Sequence, residues 1–282
     1  MKKALLSLLI LAVLIAGALS LSACSSEKPI PGLAWAASET LVYDITEDNA
    51  AIGTLTVVAQ RLEPGDYQIG RFGDKTFTIS RNSASGTRII RTATDKDGNE
   101  IMYSESLLNG FTSLASYKKV NYAGKAYECR IYHEGKFFYY SIDGGSNYKK
   151  IKAKSGYLDN EHLYYIVRCY DLSSAYSSSY NILSPGTGTL EKISIAKLNT
   201  AAFQTIPYTD EDGNEQTAYK ECVIVSFSKT DSPKGTSVTV QYSPADFELK
   251  GDIARPFNMS IFIPVVIKEN NLTYTLISAD AS

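Results

Sequence analysis

From Thr40 to the end of the chain the apolar residues recur with a period of two, the side-chain period of a strand that buries one face. Leu41, Tyr43 and Ile45 share a face; so do Phe77 with Ile79, Tyr127 with Cys129 and Ile131, and Leu272 with Tyr274 and Leu276. Turn signals interrupt the pattern at short intervals: Glu47-Asp48-Asn49, Pro64-Gly65-Asp66, Phe72-Gly73-Asp74, Asp97-Gly98-Asn99, Asp143-Gly144-Gly145, Asp212-Gly213-Asn214 and Ser232-Pro233-Lys234-Gly235. Strands joined this closely pair antiparallel, because a parallel neighbour needs a crossover of about a dozen residues or more, and no helical pattern recurs between them. The expected fold is therefore mainly β: a curved antiparallel sheet, an open barrel or a sandwich of hairpins, with one short helix around residues 160–170. Tyrosine, with 20 copies against ten Phe and one Trp, fits half-buried positions on a pleated surface. Its alternative reading is a set of aromatic platforms for a glycan or other flat ligand.

The helix is the one departure from period two. Asp159 is a good N-cap, Glu161 puts an acid in the first turn, and Leu163, Ile166, Val167 and Tyr170 fall at helical spacing, which predicts about ten helical residues packed by that stripe against the sheet. A second helical turn is expected at Ser243-Pro244-Ala245-Asp246-Phe247, with Ser243 capping and Pro244 in the first position.

The first forty residues decide location, not fold. Met1–Lys3 puts two lysines before a nearly unbroken apolar run from Ala4 to Leu21, the layout of a secretory signal. The run ends in Leu21-Ser22-Ala23-Cys24, which resembles the lipobox of bacterial lipoproteins. That resemblance implies cleavage between Ala23 and Cys24 and a diacylglycerol on the Cys24 thiol, with palmitate or similar acyl chains. Two or three chains hold stably, since each buried methylene adds about 0.8 kcal/mol. An apolar run of about eighteen residues also reads, by itself, as a membrane helix; the cysteine at the cut favours the lipoprotein. Residues 1–23 are then a signal peptide. Residues 24–39, with Pro29, Pro31 and Gly32, are a lipidated cysteine and flexible tether reaching about 20 Å, and residues 40–282 are a single mostly antiparallel β domain. The expected location is the cell membrane or the outer membrane, lipid-anchored on the extracytoplasmic side. Ser25 and Ser26 stand where an aspartate would resemble an inner-membrane retention signal, so in a two-membrane cell the outer membrane is expected.

Loss of residues 1–23 removes two of the 28 basic residues and none of the 30 acidic ones. The mature chain is acidic on balance and has no run of Lys or Arg longer than two, which excludes a nucleic-acid partner and a polybasic membrane patch. Three cysteines follow Cys24: Cys129, Cys169 and Cys222. Cys129 and Cys222 both read as core-facing strand residues. An odd number permits at most one internal disulfide, so a Cys129–Cys222 bridge and free thiols both stay open, and no C-x-x-C spacing points to metal.

Catalytic chemistry is sparsely provided. The two histidines, His133 and His162, are about thirty residues apart, on a strand and in a first helical turn where a neutral, solvated imidazole is expected, and neither G-x-S-x-G nor H-E-x-x-H occurs,. Paired carboxylates for glycoside cleavage remain open, because sequence spacing does not report the gap between two acids. Thr94-Asp95-Lys96-Asp97-Gly98-Asn99-Glu100 recurs as Thr209-Asp210-Glu211-Asp212-Gly213-Asn214-Glu215. Asp95, Asp97 and Asn99, like Asp210, Asp212 and Asn214, set oxygens at alternate positions around a glycine, as calcium loops do. Here the glycine falls at the fourth place of the loop and not the sixth, and Asp-Gly is also the ordinary tip of a hairpin. Hairpin tips are the expectation and a metal site the alternative; no cofactor is expected.

The order of elements is similar to a bacterial exported family catalogued as domain of unknown function 3108. The similarity rests on Glu39-Thr40-Leu41-Val42-Tyr43-Asp44-Ile45 with Ile52-Gly53-Thr54-Leu55 as its hairpin partner, the Asp159–Arg168 helix followed by Asp171-Leu172, and a late strand pair. It covers most of Ser38–Ser278 through apolar patterns, departing at the Thr209–Gln216 hairpin and the Ser173–Tyr180 stretch. It implies a curved antiparallel sheet closing on a short helix in an envelope protein, and brings no catalytic residues. The expected function is a lipid-anchored extracytoplasmic module that binds an apolar or amphipathic ligand or a partner envelope protein, or that assembles by edge-strand pairing. The alternative is a cell-wall or glycan hydrolase using two carboxylates.

Overall fold

The structure, a computed structural model, describes residues 38–80, 86–110, 112–145, 147–153, 156–170, 172, 175–210, 212–229, 237–244, 247 and 262–281. Ala23, Cys24, the tether as far as residue 37 and the Ser232–Gly235 turn lie outside these. The first strands, β1 (Ser38–Glu47) and β2 (Ala50–Leu62), form a hairpin whose turn residues Asp48 and Asn49 both have positive φ. Such a primed turn matches the natural twist of the strands it joins. Glu39, at the end of the expected tether, is already inside β1.

A meander runs outward from β2 through β5 (Gly86–Asp95), β6 (Glu100–Asn109), β7 (Thr112–Tyr122), β8 (Lys125–Glu134), β9 (Phe137–Ser141) and β10 (Lys149–Lys152). On its other side β1 pairs with the last strand, β16 (Leu272–Ala281), followed by β15 (Pro264–Glu269), β14 (Ser237–Tyr242), β13 (Glu215–Lys229), β12 (Leu190–Thr209) and β11 (Ser177–Leu183). These 14 strands form one sheet in which every pair is antiparallel. The β3 (Gly65–Gln68) and β4 (Thr76–Ile79) hairpin stands apart.

The sheet curls until its two edges meet. Gly156–Leu158, just beyond β10, runs along β11: Leu158 N–H donates to Asn181 O, and Asn181 N–H donates to Gly156 O, each at 2.9 Å. Across this seam Cys129, Ile131, Phe138 and Tyr140 pack on Leu183. Gly188, at φ +67 in the β11–β12 turn, lies so close that a Cβ would stand 2.6 Å from the Tyr140 ring. Bringing the edges together hides strand groups that would otherwise pair with other chains.

Antiparallel register turns the period-two pattern into rows across the inner face. One row runs Leu41, Val57, Arg91, Ser104, Lys118, Cys129, and the next runs Glu39, Ala59, Ile89, Ser106, Ser116, Ile131. Apart from Glu39 the rows are apolar on β1 and β2, and apart from Ile89 they are polar on β5–β7. On the outer face, Ile69, Phe72 and Phe77 of the β3–β4 excursion cover Leu107, Ala115 and Tyr117. A register shift between Lys197 and Ala201 bends the β12–β13 hairpin, and its distal half lies against the sheet through Ile206 and Cys222, with Gln204 Nε2 donating to Gln241 Oε1 at 2.8 Å.

Cys129 and Cys222 are free thiols, buried in different apolar clusters, so the Cys129–Cys222 bridge left open above does not form. Burial pushes the Cys129 thiol to about 12 and the Cys222 thiol to about 11, which keeps both protonated and unreactive.

Candidate functional site

The helical segment lies inside the curled sheet as a plug. It consists of 3-10 turns at Asn160–His162 and Val167–Cys169 flanking α1 (Leu163–Ile166), where sequence predicted a continuous helix of about ten residues. A helix this short gains little from its own hydrogen bonds; the surrounding walls hold it, and tight turns are common where a helix ends. The predicted stripe is real: Leu163, Ile166, Val167 and Tyr170 are all buried. Asp159 caps as expected, its Oδ1 accepting the Glu161 N–H at 2.9 Å. The second predicted turn is described only at its ends. Phe247 N–H donates to Pro244 O, and Ser243 Oγ accepts the Ile263 N–H, tying two segments together; Ala245 and Asp246, whose N–H groups a Ser243 cap would bind, lie outside the described residues.

The polar strip on β5–β7 binds the start of the plug. Ser116 Oγ donates to Asp159 Oδ2 at 2.6 Å, and Asp159 N–H donates to Ser113 Oγ at 3.2 Å. Lys118 Nζ donates to Glu161 Oε1 at 2.9 Å, and Arg91 reaches Glu161 O at 3.1 Å and Glu161 Oε2 at 3.5 Å. Burial raises the Glu161 carboxyl, but Lys118 and Arg91 overcome that and hold it at about 2. Burial works against the Lys118 charge, and Glu161 raises its pKa above the ordinary lysine value in spite of it. At the far end of the plug Arg168 donates to both oxygens of Glu39, at 2.8 and 2.7 Å, with both side chains buried.

The histidines, separated in sequence, converge here. His162 is fully buried, not solvated as its place in a first turn predicted, because that turn faces β6 and β7 and not water. Its Nδ1 lies 3.0 Å from Ser113 Oγ. Ser113 Oγ also accepts the Asp159 N–H, and among the described residues His162 Nε2 has no hydrogen-bond partner. Burial lowers His162 to about 3 and also lowers His133, whose ring lies tilted against Tyr157 with centroids 4.9 Å apart. Serine, histidine and aspartate are thus gathered, but Asp159 is bonded to Ser116 and not to the imidazole, and every member is sealed from solvent. A nucleophile needs a base oriented by an acid and room for substrate; this cluster is built as a clamp.

Beside the clamp the interior holds a cavity of about 80 Å³, lined by Tyr43, Leu55, Val57, Arg91, Met102, Lys118, Tyr164, Tyr165, Pro264, Ile267, Glu269 and Tyr274. It lies toward the end where the β1–β2 and β15–β16 turns meet, cross-linked by Asp48 N–H to Asn271 O and by Glu47 accepting from Tyr122 and Asn271. Met102, Lys118, Glu269 and Tyr274 keep partial exposure. A single water needs only about 10–15 Å³ by this measure, so the space accepts a small molecule. Its tyrosines are fixed: Tyr43 donates to Pro264 O at 2.8 Å, and the Tyr165 ring lies near both the Arg91 and Arg168 guanidiniums. One carboxylate lines the cavity, Glu269, where a two-acid hydrolase would need two facing each other.

The repeated Asp-Gly-Asn motifs form two hairpin tips of the same geometry. Asp95 Oδ1 accepts the Asp97 and Asn99 N–H groups, Asp210 Oδ1 accepts those of Asp212 and Asn214, and Gly98 and Gly213 both have φ +82. The carboxylates are thus bound inside their own turns, and among the described residues no group of three or more His, Cys, Asp or Glu is arranged for a metal ion. The sequence signal for this cluster is that Arg91, Ser104, Ser116 and Lys118 occupy inward positions that the alternation reserves for apolar residues. An aromatic platform exists away from the cavity, where exposed Phe203 and Tyr219 stack at 5.4 Å.

No protein-family model matches the chain, and no curated protein does. Among solved structures, the chain is similar to a β-barrel-like protein of the domain of unknown function DUF1849 from Brucella abortus, at 9% identity and a TM-score of 0.39, over 88% of this chain and 99% of that one.

Proposed function

We propose that this protein is a non-enzymatic binding module, held at an extracytoplasmic membrane surface by lipid on Cys24, that takes a small apolar or amphipathic ligand into the interior of its curled sheet. The observation that carries this reading is the cavity, which Leu55, Val57, Met102, Ile267 and four tyrosines line. Interior positions of a small closed sheet are ordinarily filled by side chains or hold one small ligand, and apolar pockets with few polar groups are the usual form of a ligand site. The lipobox-like Leu21–Cys24 supports the location, and the burial of Asp159, Glu161 and His162, with both acids already held by Ser116, Lys118 and Arg91, supports binding over catalysis.

The test is thermal unfolding of the full chain with 1-octanol present. Saturating octanol raises Tm, and Leu55→Trp, which fills the cavity, removes the rise. Absence of any ligand-dependent rise in the unsubstituted protein refutes the cavity reading. Location is tested separately: Cys24→Ser moves the protein from the membrane to the soluble fraction and leaves residues 1–23 attached.

A further inference from the structure

We propose that the ligand of this cavity carries an anionic head, a carboxylate or a phosphate monoester, that docks on Arg91 and Lys118 while its apolar tail lies along Leu55, Val57, Met102 and Ile267. This rests on the binding reading above and adds the ligand's charge and orientation. Arg91 and Lys118 line the cavity, whereas Glu161, the acid they share, does not. The cations therefore stand between the empty space and their own counter-ion.

Glu161 is fully committed: Oε1 accepts from Lys118 and from Asn160 Nδ2 at 3.1 Å, and Oε2 meets Arg91 only at 3.5 Å. Two cations, Arg91 nearly buried and Lys118 half-buried, share the one buried carboxylate of Glu161, a deficit that a low-dielectric surrounding penalises. An ammonium has three donors and a guanidinium five, so donors remain on the cavity side for an incoming oxyanion, and such charge-assisted bonds are the strong ones. Glu269 also lines the cavity, from β15, whereas Arg91 and Lys118 enter from β5 and β7, which directs an anion to the β5–β7 side. The apolar lining disfavours a bare inorganic ion, because nothing there replaces the rest of its hydration shell.

The test compares octanoate, octyl phosphate, octanol and acetate on the full chain by calorimetry at two salt concentrations. Octanoate or octyl phosphate binds at least about tenfold more tightly than octanol, the worth of one charged hydrogen bond. That advantage shrinks in high salt, and whichever of the two binds more tightly identifies carboxylate or phosphate as the head. Lys118→Met narrows the ratio of octanoate or octyl phosphate affinity to octanol affinity toward one. If octanol binds as tightly as octanoate and octyl phosphate, the anionic head is refuted and the cavity reading survives; if acetate binds as tightly as octanoate, the amphiphile is refuted. If none of the four binds, both readings fail. The comparison within the unsubstituted protein decides the matter even if Lys118→Met does not fold.

Discussion

The plug is pinned by buried charge at both ends, and the two ends are built differently. At its C-terminal end Arg168 and Glu39 form a closed pair, one cation and one anion joined by two hydrogen bonds, with neither side chain exposed. At its N-terminal end one carboxylate, Glu161, serves both Arg91 and Lys118, at 3.5 and 2.9 Å, with a cavity on the far side of the cations. Neither Arg168 nor Glu39 lines the cavity, so the closed pair can only hold. A shared one leaves donors facing open space, so the same chemistry that anchors the plug is available to a ligand.

The largest effect comes from opening the closed pair. Glu39→Leu leaves the buried Arg168 guanidinium without its carboxylate and costs about 3–5 kcal/mol, whereas the double replacement Glu39→Leu with Arg168→Met recovers most of that. Urea unfolding of the two variants checks this; equal losses would show that the pair is not the source of the effect. Lys118→Met, at the shared end, is milder, about 1–2 kcal/mol, because Glu161 keeps Arg91 and one buried cation is relieved. A loss as large as that of Glu39→Leu would erase the distinction between the two ends.

Acid attacks the shared end selectively. His162 is held at about 3 in the folded protein against 6.5 for the free side chain, so between those values the unfolded chain takes a proton that the folded chain refuses. Stability falls as pH drops through this window, by about 3 kcal/mol at pH 4.5 from His162 alone, and the lowered His133 acts in the same direction. Glu161, held at about 2 against 4.5, contributes stability above pH 4.5 that is lost on further acidification. Asp159 opposes these groups: burial raises its pKa, so its contribution is lost as pH rises. Unfolding midpoints at pH 7.5 and 4.5 should differ more for the unsubstituted protein than for His162→Gln. An equal drop in the variant would place the acid sensitivity elsewhere.

The strands were legible because a strand that buries one face leaves a trace at every second residue, as Leu41, Tyr43 and Ile45 show. The turn at Ala123-Gly124, both with positive φ, carries a weaker signal, since alanine seldom marks a primed turn. The plug was visible as an element, but not as an interior one: its stripe of Leu163, Ile166, Val167 and Tyr170 is the same whether it packs on a sheet or inside one. What placed Asp159, Glu161 and His162 out of water was register between distant strands. Register brings Arg91, Ser104 and Lys118 into one row, and sequence spacing does not encode it. The site was present in the sequence only as interruptions of an otherwise apolar alternation.

The smallest effect expected is at the two hairpin tips, which extend the comparison to charge in full solvent. Asp95 and Asp210 each gather the backbone N–H groups of their own turn, which lowers their pKa below the usual carboxylate value. Screening by water makes such exposed interactions weak even where the geometry is good. Asp95→Asn and Asp210→Asn keep an oxygen acceptor of the same reach, so each shifts Tm by no more than about 2 °C. Calcium should leave the Tm of the unsubstituted protein unchanged, since the oxygens of each motif are already occupied by the turn that a metal would have to displace. A calcium-dependent rise in Tm that Asp95→Asn or Asp210→Asn abolishes would show instead that the turn opens to a cation. Carboxylates would then act as ligands at the surface of this fold as well as counter-ions in its interior.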